Sequence, residues 1–281
     1  MTTTMDLNKL IIELRAKSGA GISDCKKALT ETNGNFDEAL TVLRKKGLSD
    51  AAKKSGRATK EGAVAYAVSG KSGALIELNS ETDFVARTAE FESLAQNLAD
   101  KFASGEIAEI SQASSLIQPV FQKLGENIQL RRFERFTMKG HGLISGYIHL
   151  GAKKGALIEL SSSSDAAAAS SDVSNLAKEL LLQIVGSSAK YLSKTDVPQA
   201  EIEKEKEIYT EILKKEGKPE ASIPKIVEGK INKLFYQSLC LLEQLNIRDN
   251  KTPVSQMIKE TATKLGAEIS VVRFARYQLG E

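Results

Sequence analysis

Two loops of this 281-residue chain are versions of one another, and one of them carries side chains suited to gripping a partner. Gly73-Ala-Leu-Ile-Glu-Leu-Asn-Ser-Glu-Thr-Asp-Phe-Val-Ala86 returns as Gly155-Ala-Leu-Ile-Glu-Leu-Ser-Ser-Ser-Ser-Asp-Ala-Ala-Ala168. In the first copy Thr82 can cap the turn that follows, Asp83 adds a charge, and Phe84-Val85 offers an apolar wedge. An aromatic on a loop delivers a large contact area with few rotatable bonds, which is binding chemistry rather than bond-making chemistry. Asp83 is a poor general base, because no second carboxylate or lysine stands near it in sequence. The bland alternative folds Phe84 back into its own core. Ala166 in the second copy weighs against that, since the same frame there needs no aromatic.

Other chemistry is missing. His141 and His149 sit beside glycines and have no partner at metal-ligand spacing, and neither Cys-x-x-Cys nor His-x-x-x-His occurs. Cys25 and Cys240 lie far apart on helical patterns and read as small buried hydrophobes. Gly19-Ala-Gly21 and Gly70-Lys-Ser-Gly73 fall short of phosphate-loop spacing and read as turns. No serine occupies a nucleophile elbow. The expectation is a protein that is not an enzyme and needs no cofactor or metal. Lys and Arg number 39 against 36 Asp and Glu, a net +3, and there is no tryptophan. So small a basic excess, without stacking platforms, argues against direct nucleic-acid binding. No apolar run approaches the roughly 20 residues that span a bilayer, and the polar Met1–Asp6 opening does not resemble a secretory leader. A soluble, reduced, cytoplasmic protein without membrane contact is expected.

The elements that must position these residues follow from periodicity. Residues 6–17, with Asp6 as cap, a second helix capped by Ser23, and a third from Phe36 give a three-helix module over 1–50. A basic linker, 51–62, follows. Ala63–Val68 and Gly73–Leu78 predict a hairpin about Ser69-Gly70-Lys71-Ser72, and 88–103 an amphipathic helix. Asn127–Phe133, Ile144–Leu150 and Gly155–Leu160 predict strands, and Leu176, Ala177, Leu180, Leu181 and Ile184 mark another helix. At an offset of 82 (155 − 73), 12 of the 26 pairs between 73–98 and 155–180 are identical. The core is therefore duplicated, with halves at 63–142 and 143–198, each a small antiparallel sheet with helices on one side. Residues 199–242 predict two helices of about 18 residues joined at Gly217-Lys218-Pro219, a projecting antiparallel hairpin. Residues 243–281 return to the core through a helix with Thr252 as cap and Pro253 first, then a strand from Glu268 to Leu279. The fold class is α+β.

Several motifs together resemble the bacterial elongation factor Ts family along nearly the whole chain. They are Leu14-Arg-Ala-Lys-Ser-Gly-Ala-Gly-Ile-Ser-Asp-Cys-Lys-Lys-Ala-Leu29, Glu81–Ala86, Gly125-Glu-Asn-Ile128 with Arg131-Arg132, and Tyr147-Ile-His149. Tyr191-Leu-Ser193, Asp196-Val-Pro198, Glu228-Gly-Lys230 and Cys240-Leu-Leu-Glu-Gln244 continue the series. The chain departs from the family pattern at Lys154, in the Ser/Ala run 161–171 and at Leu245-Asn246. The resemblance implies a guanine-nucleotide exchange factor for the GTPase elongation factor Tu. It implies that the N-terminal helices form a ubiquitin-associated-like module docking on the GTPase, with Lys26 and Lys54 as candidate steering charges. It implies that Thr82, Asp83, Phe84 and Val85 dislodge the partner's Mg²⁺, and that His149 belongs to a second contact. The helical hairpin would be a coiled coil, associated in some members with homodimerisation. The competing class is an adaptor or chaperone-like module working through the N-terminal helices.

Overall fold

The computed structural model describes residues 4–281, apart from the side chains of residues 4–6, 48, 51 and 52. Three helices come first: α1 (Thr4–Ser18), α2 (Ile22–Glu31) and α3 (Phe36–Lys54). Ile11, Leu14, Cys25, Leu29 and Leu43 form their shared core. Asn35 caps α3 by accepting the Glu38 N–H. Two expected caps are corrected. The helix α1 already includes Asp6, whose side chain is outside the described residues. Gly21 rather than Ser23 precedes α2, because Gly19, at φ 72°, turns the chain so sharply that the helix starts two residues early. The third helix runs on through Lys54, into the stretch read as a linker.

The first half of the core follows. β1 (Glu61–Ser69) and β2 (Ser72–Ser80) pair antiparallel about Gly70-Lys71, where Gly70 supplies the positive φ of a two-residue hairpin turn. A one-turn helix α4 (Asp83–Ala86), then α5 (Ala89–Ser104) and α6 (Ser114–Leu124), lead to β3 (Ile128–Thr137), in sheet order β1-β2-β3. The helix α6 was not expected, because serines and the internal Pro119 mask its pattern. The second half repeats the plan with β4 (Gly142–Ile148), β5 (Lys154–Ser162), a one-turn α7 (Asp165–Ala168) and α8 (Ser171–Gly186).

A helical excursion interrupts this half. α9 (Gln199–Lys215) packs on α10 (Ile223–Lys230), a π turn at Ile231–Phe235 and α11 (Tyr236–Leu239), around Ile202, Leu213, Val227 and Ile231. The second arm is thus not one regular α-helix but one broken by a π turn. α12 (Val254–Leu265) leads to β6 (Ile269–Gln278), which completes the order β4-β5-β6. Pro253 occupies the α12 N-cap position expected for Thr252. The Thr252 hydroxyl is committed to the preceding turn, where it donates to Asp249 Oδ2 at 2.6 Å.

The last strand finishes the duplication. β6 repeats β3 at an offset of 141 (269 − 128), with Ile128/Ile269, Arg132/Arg273, Phe133/Phe274 and Arg135/Arg276 identical. Both central strands carry an irregularity at the same place, Glu77/Leu78 and Glu159/Leu160. The outer faces of the two sheets are covered by α5 with α6 and by α8 with α12. The inner faces meet through Val64, Leu75 and Phe136 on one side and Ile144, Leu157 and Tyr277 on the other. Gly73 and its counterpart Gly155 permit this approach. A Cβ on Gly73 would stand 2.6 Å from Ile144 of the second sheet, and one on Gly155 3.0 Å from Val64 of the first. Across the seam Arg132 stacks on Tyr277 at 4.2 Å and Arg273 on Phe136 at 4.3 Å, a reciprocal exchange of cations. Each arginine also holds a buried carboxylate of its own sheet at 2.7 Å, Glu77 or Glu159.

Candidate functional site

Beyond Ser80 the chain leaves the first sheet and makes the turn α4. Thr82 is extended (φ −125°, ψ 157°), and its Oγ1 accepts the Val85 N–H at 3.4 Å, so it caps the turn. The helical turn then separates two neighbours. Val85 is 8% exposed and joins the core between the first sheet and α5, whereas Phe84 is 82% exposed. The wedge expected of the pair is therefore Phe84 alone at the surface. Asp83, half-exposed, pairs with Arg87 at 2.9 Å along the same turn.

The turn is gripped from its N-terminal side by residues far away in sequence. Glu126 accepts the Thr82 N–H on Oε2 at 3.0 Å and the Thr82 hydroxyl on Oε1 at 2.7 Å. Glu81 reciprocates by accepting the Asn127 N–H at 2.7 Å, with Arg57 at 3.3 Å from its other oxygen. That N–H, ahead of the Arg57 guanidinium, holds the Glu81 carboxyl below the usual glutamate range. Asn127 Nδ2 donates to the carbonyls of Ser55 and Arg57, and Lys54 Nζ donates to the Gly125 carbonyl at 2.6 Å. One turn, Gly125-Glu126-Asn127, thus binds the tip, the start of β3 and the segment leaving α3. Arg57, Glu126 and Asn127 were not singled out from spacing, because their contacts span 24 to 72 residues and leave no local pattern.

The remaining candidates fall in three places. Lys54 is engaged within the chain, its ammonium also 5.6 Å from the Phe121 ring. Lys26 is exposed on α2 and borders a groove of about 1100 Å³ with Ile12, Ile22 and Arg15. His149 is exposed just after β4, its Nδ1 3.0 Å from the Tyr147 hydroxyl, and Leu150 beside it is 93% exposed. The β4–β5 turn is tied to the start of β1 by Val64 N–H to the Ala152 carbonyl (2.7 Å) and by Lys153 with Glu61 (2.9 Å). Glu61 lies opposite Ser80, two residues before Thr82, so His149-Leu150 and Phe84 rise from the same end of the first sheet.

The second copy keeps the scaffold and changes the tip. Ser164 caps α7 by accepting the Ala167 N–H at 3.2 Å, Ala167 is buried as Val85 is, and Ala166 is exposed where Phe84 stands. Asp165 takes His141 as partner at 2.7 Å, and that hydrogen bond keeps its carboxyl below the usual range. Among the described residues no group of three His, Cys, Asp or Glu could hold a metal ion, and no helix is long and apolar enough to cross a membrane.

Comparison with known proteins finds relatives along nearly the whole chain. The family described as Elongation factor TS matches residues 81–281. The chain is 43% identical over 279 residues to elongation factor Ts of Symbiobacterium thermophilum, covering 97% of this chain and 91% of that protein. It is 43% identical over 286 residues to the Clostridium botulinum (Alaska E43) protein of that name, covering 97% and 92%. With the Nitratidesulfovibrio vulgaris (DP4) protein of the same name the identity is 42% over 275 residues, covering 97% and 95%.

Proposed function

The chain belongs to the elongation factor Ts family, and from that premise we infer that it is a guanine-nucleotide exchange factor for elongation factor Tu, acting in translation elongation through the Phe84 tip. It makes and breaks no covalent bond. The observation that carries the tip mechanism is the contrast between the two copies: an aromatic standing in solvent on a capped turn, where the same scaffold elsewhere has alanine. A buried structural aromatic would gain from packing in its own core; an exposed one gains only from a partner.

In this reading the tip enters beside the GTPase's nucleotide site and shifts the bound Mg²⁺. The ion demands near-ideal octahedral geometry, so a small displacement of its ligands weakens its bridge to the GDP phosphates. Phe84 need only favour the distorted state of the partner over the closed one. By linkage, nucleotide then weakens the factor's own binding by the same ratio, and rebinding of either GDP or GTP releases it. His149 and Leu150, at the same end of the sheet, extend the contact. Helices α1–α3 act as a ubiquitin-associated-like docking module, with the Lys26 groove toward the GTPase. α9 and its partner arm act as a coiled coil available for self-association. A pure adaptor working through α1–α3 is not favoured, since it leaves Phe84 without a role.

The test uses a fluorescent GDP analogue on elongation factor Tu and stopped-flow release. Added chain should accelerate release strongly in Mg²⁺ and far less in EDTA, where the bridge is already gone. Equal acceleration with and without Mg²⁺ rejects the displacement mechanism, and no acceleration at all rejects the exchange function.

A further inference from the structure

Phe84 makes few contacts with its own protein, so its placement depends on the backbone beneath it. That backbone is a single helical turn of four residues, too short to hold itself in water. It is held from below by Val85, sunk in the core with Ala86 packed against it, and by the Ser80 hydroxyl, which donates to the Thr82 carbonyl at 2.9 Å. The anchor from farther along the chain is Glu126, whose two oxygens accept both donors of Thr82, the residue that starts the turn. We propose that Glu126 is a positioning residue for nucleotide exchange: its clamp on Thr82 holds the α4 turn so that Phe84 is presented in one orientation.

The second half of the chain supplies an internal control. Its turn α7 has the same cap and the same buried anchor in Ala167. At the β3-to-β6 offset of 141, Glu126 corresponds to Ala267 and Asn127 to Glu268. The link from loop to strand survives there, because the Glu268 N–H donates to Ser163 Oγ at 3.1 Å, as the Asn127 N–H does to Glu81. The carboxylate clamp on the cap does not survive: alanine stands in its place, and the exposed position of that turn is alanine too. Scaffold requirements are common to both halves, so they do not account for Glu126. The clamp is present where there is an aromatic to aim, and absent where there is none.

Position and charge suit the role. A carboxylate accepting both the N–H and the hydroxyl of the capping residue forms charge-assisted hydrogen bonds. The loop bearing Glu126 is itself fixed from behind by Lys54 on the Gly125 carbonyl and by Asn127 on the Ser55 and Arg57 carbonyls. A clamp mounted on a fixed base restricts what it grips. Pre-organisation of this kind raises the fraction of encounters in which the ring meets its target correctly.

The proposal rests on the tip reading above, and a double-mutant cycle on the full-length chain separates the two. GDP release from elongation factor Tu is measured at saturating wild type, Glu126→Ala, Phe84→Ala and the double variant. Glu126→Ala should slow release by about 5- to 30-fold, the loss of two charge-assisted hydrogen bonds at a partly exposed site. Its half-saturating concentration, set by the rest of the interface, should move by less than about threefold. On the Phe84→Ala background the same change should slow release no further, because there is no ring left to aim. Glu126→Gln, which keeps an acceptor for the Thr82 N–H, should fall between and serves if the alanine variant folds poorly. Amide exchange at Thr82 and Val85 should quicken in Glu126→Ala while the β2 amides stay protected. Normal release by Glu126→Ala with slow release by Phe84→Ala overturns the positioning role alone, as does a full additional loss in the double variant. Normal release by Phe84→Ala overturns the tip reading and the positioning role with it.

Discussion

Phe84 and Val85 are neighbours and both apolar, yet one helical turn sends them in opposite directions, so alanine at each should separate presentation from folding. Phe84→Ala removes a ring 82% exposed to solvent. Its effect on stability should stay within about 0.5 kcal/mol, the range of surface changes. Val85→Ala removes two methyl-sized groups from a site 8% exposed. At about 0.8 kcal/mol per buried carbon that is roughly 1.6 kcal/mol, and incomplete collapse of the cavity brings it to about 2 kcal/mol. For a unit of some 150–250 residues this lowers the melting temperature by about 4–8 °C. Exchange should show the reverse order. Loss of a hot-spot aromatic costs about 2 kcal/mol or more, which is a slowing of about 30-fold or more at saturating factor. Val85→Ala should slow release less than Phe84→Ala does, since it keeps the ring while loosening one anchor of the turn that carries it. Stopped-flow release of labelled GDP from elongation factor Tu and thermal unfolding by circular dichroism measure the two axes on the same samples. A Phe84→Ala protein that melts many degrees lower would show the ring packed inside. A folded Val85→Ala protein as slow as Phe84→Ala would show that the turn does not divide the two roles.

Glu77 is fully buried and accepts from Arg131, Arg132 and the Gly280 N–H, whereas Glu159 has Arg273 as its ion-pair partner. Glu77→Gln should therefore destabilise more than Glu159→Gln in urea, by up to about 3–5 kcal/mol for a broken buried pair; the opposite order would refute the donor argument. Asp249 is held down to about 2 from its ordinary 3.8, first by the Thr252 hydroxyl and then by the N–H groups of Thr252 and Lys251. A depressed carboxyl contributes above its unfolded value and loses that contribution as pH falls toward the folded one. Amide protection at Lys251 and Thr252 should thus hold above about pH 4 and fade between about pH 4 and 2, and protection unchanged down to pH 2 would contradict it.

The sequence announces half of the duplication openly and conceals the rest. Gly73–Leu98 and Gly155–Leu180 align without a gap because nothing intervenes within either unit. The third strands, β3 and β6, are just as alike, but the helical excursion changes their offset from 82 to 141 and moves them out of register with the visible repeat. Helix α6 was lost to Pro119 and its serines, residues whose helical placement is decided by packing rather than propensity. At the tip, residue types identify Thr82 as a cap and mark Phe84 as the aromatic of the loop, which the structure leaves exposed. They do not tell which of two adjacent apolar residues points outward, because both directions are open until the turn docks. Glu126 stood in the sequence only as part of the Gly125-Glu-Asn-Ile128 motif, and its grip on Thr82 was hidden because a carboxylate 44 residues from its partner has no periodicity to betray the contact.

Under the proposed mechanism, the reciprocal seam gives a one-sided tip a use for two halves. A wedge biases its partner only if its own base yields less than the site it enters. The strand that carries the tip, β2, is the middle of its sheet, and its Glu77 is held by Arg131 and Arg132 from β3. Arg132 in turn is capped by Tyr277 and donates to the Gln278 carbonyl, both on the last strand. The Gly280 N–H and Asn79 Nδ2 add two more donors to Glu77. The second sheet returns the arrangement through Arg273, which stacks on Phe136 and donates to the Thr137 carbonyl of β3. Each sheet therefore holds the arginine that grips the other's carboxylate, with an aromatic ring and a backbone carbonyl across the seam. Under the proposed tip mechanism, the half that has Ala166 in place of the aromatic, with its own Glu–Arg pair and capped turn, would be the base from which the other half pushes.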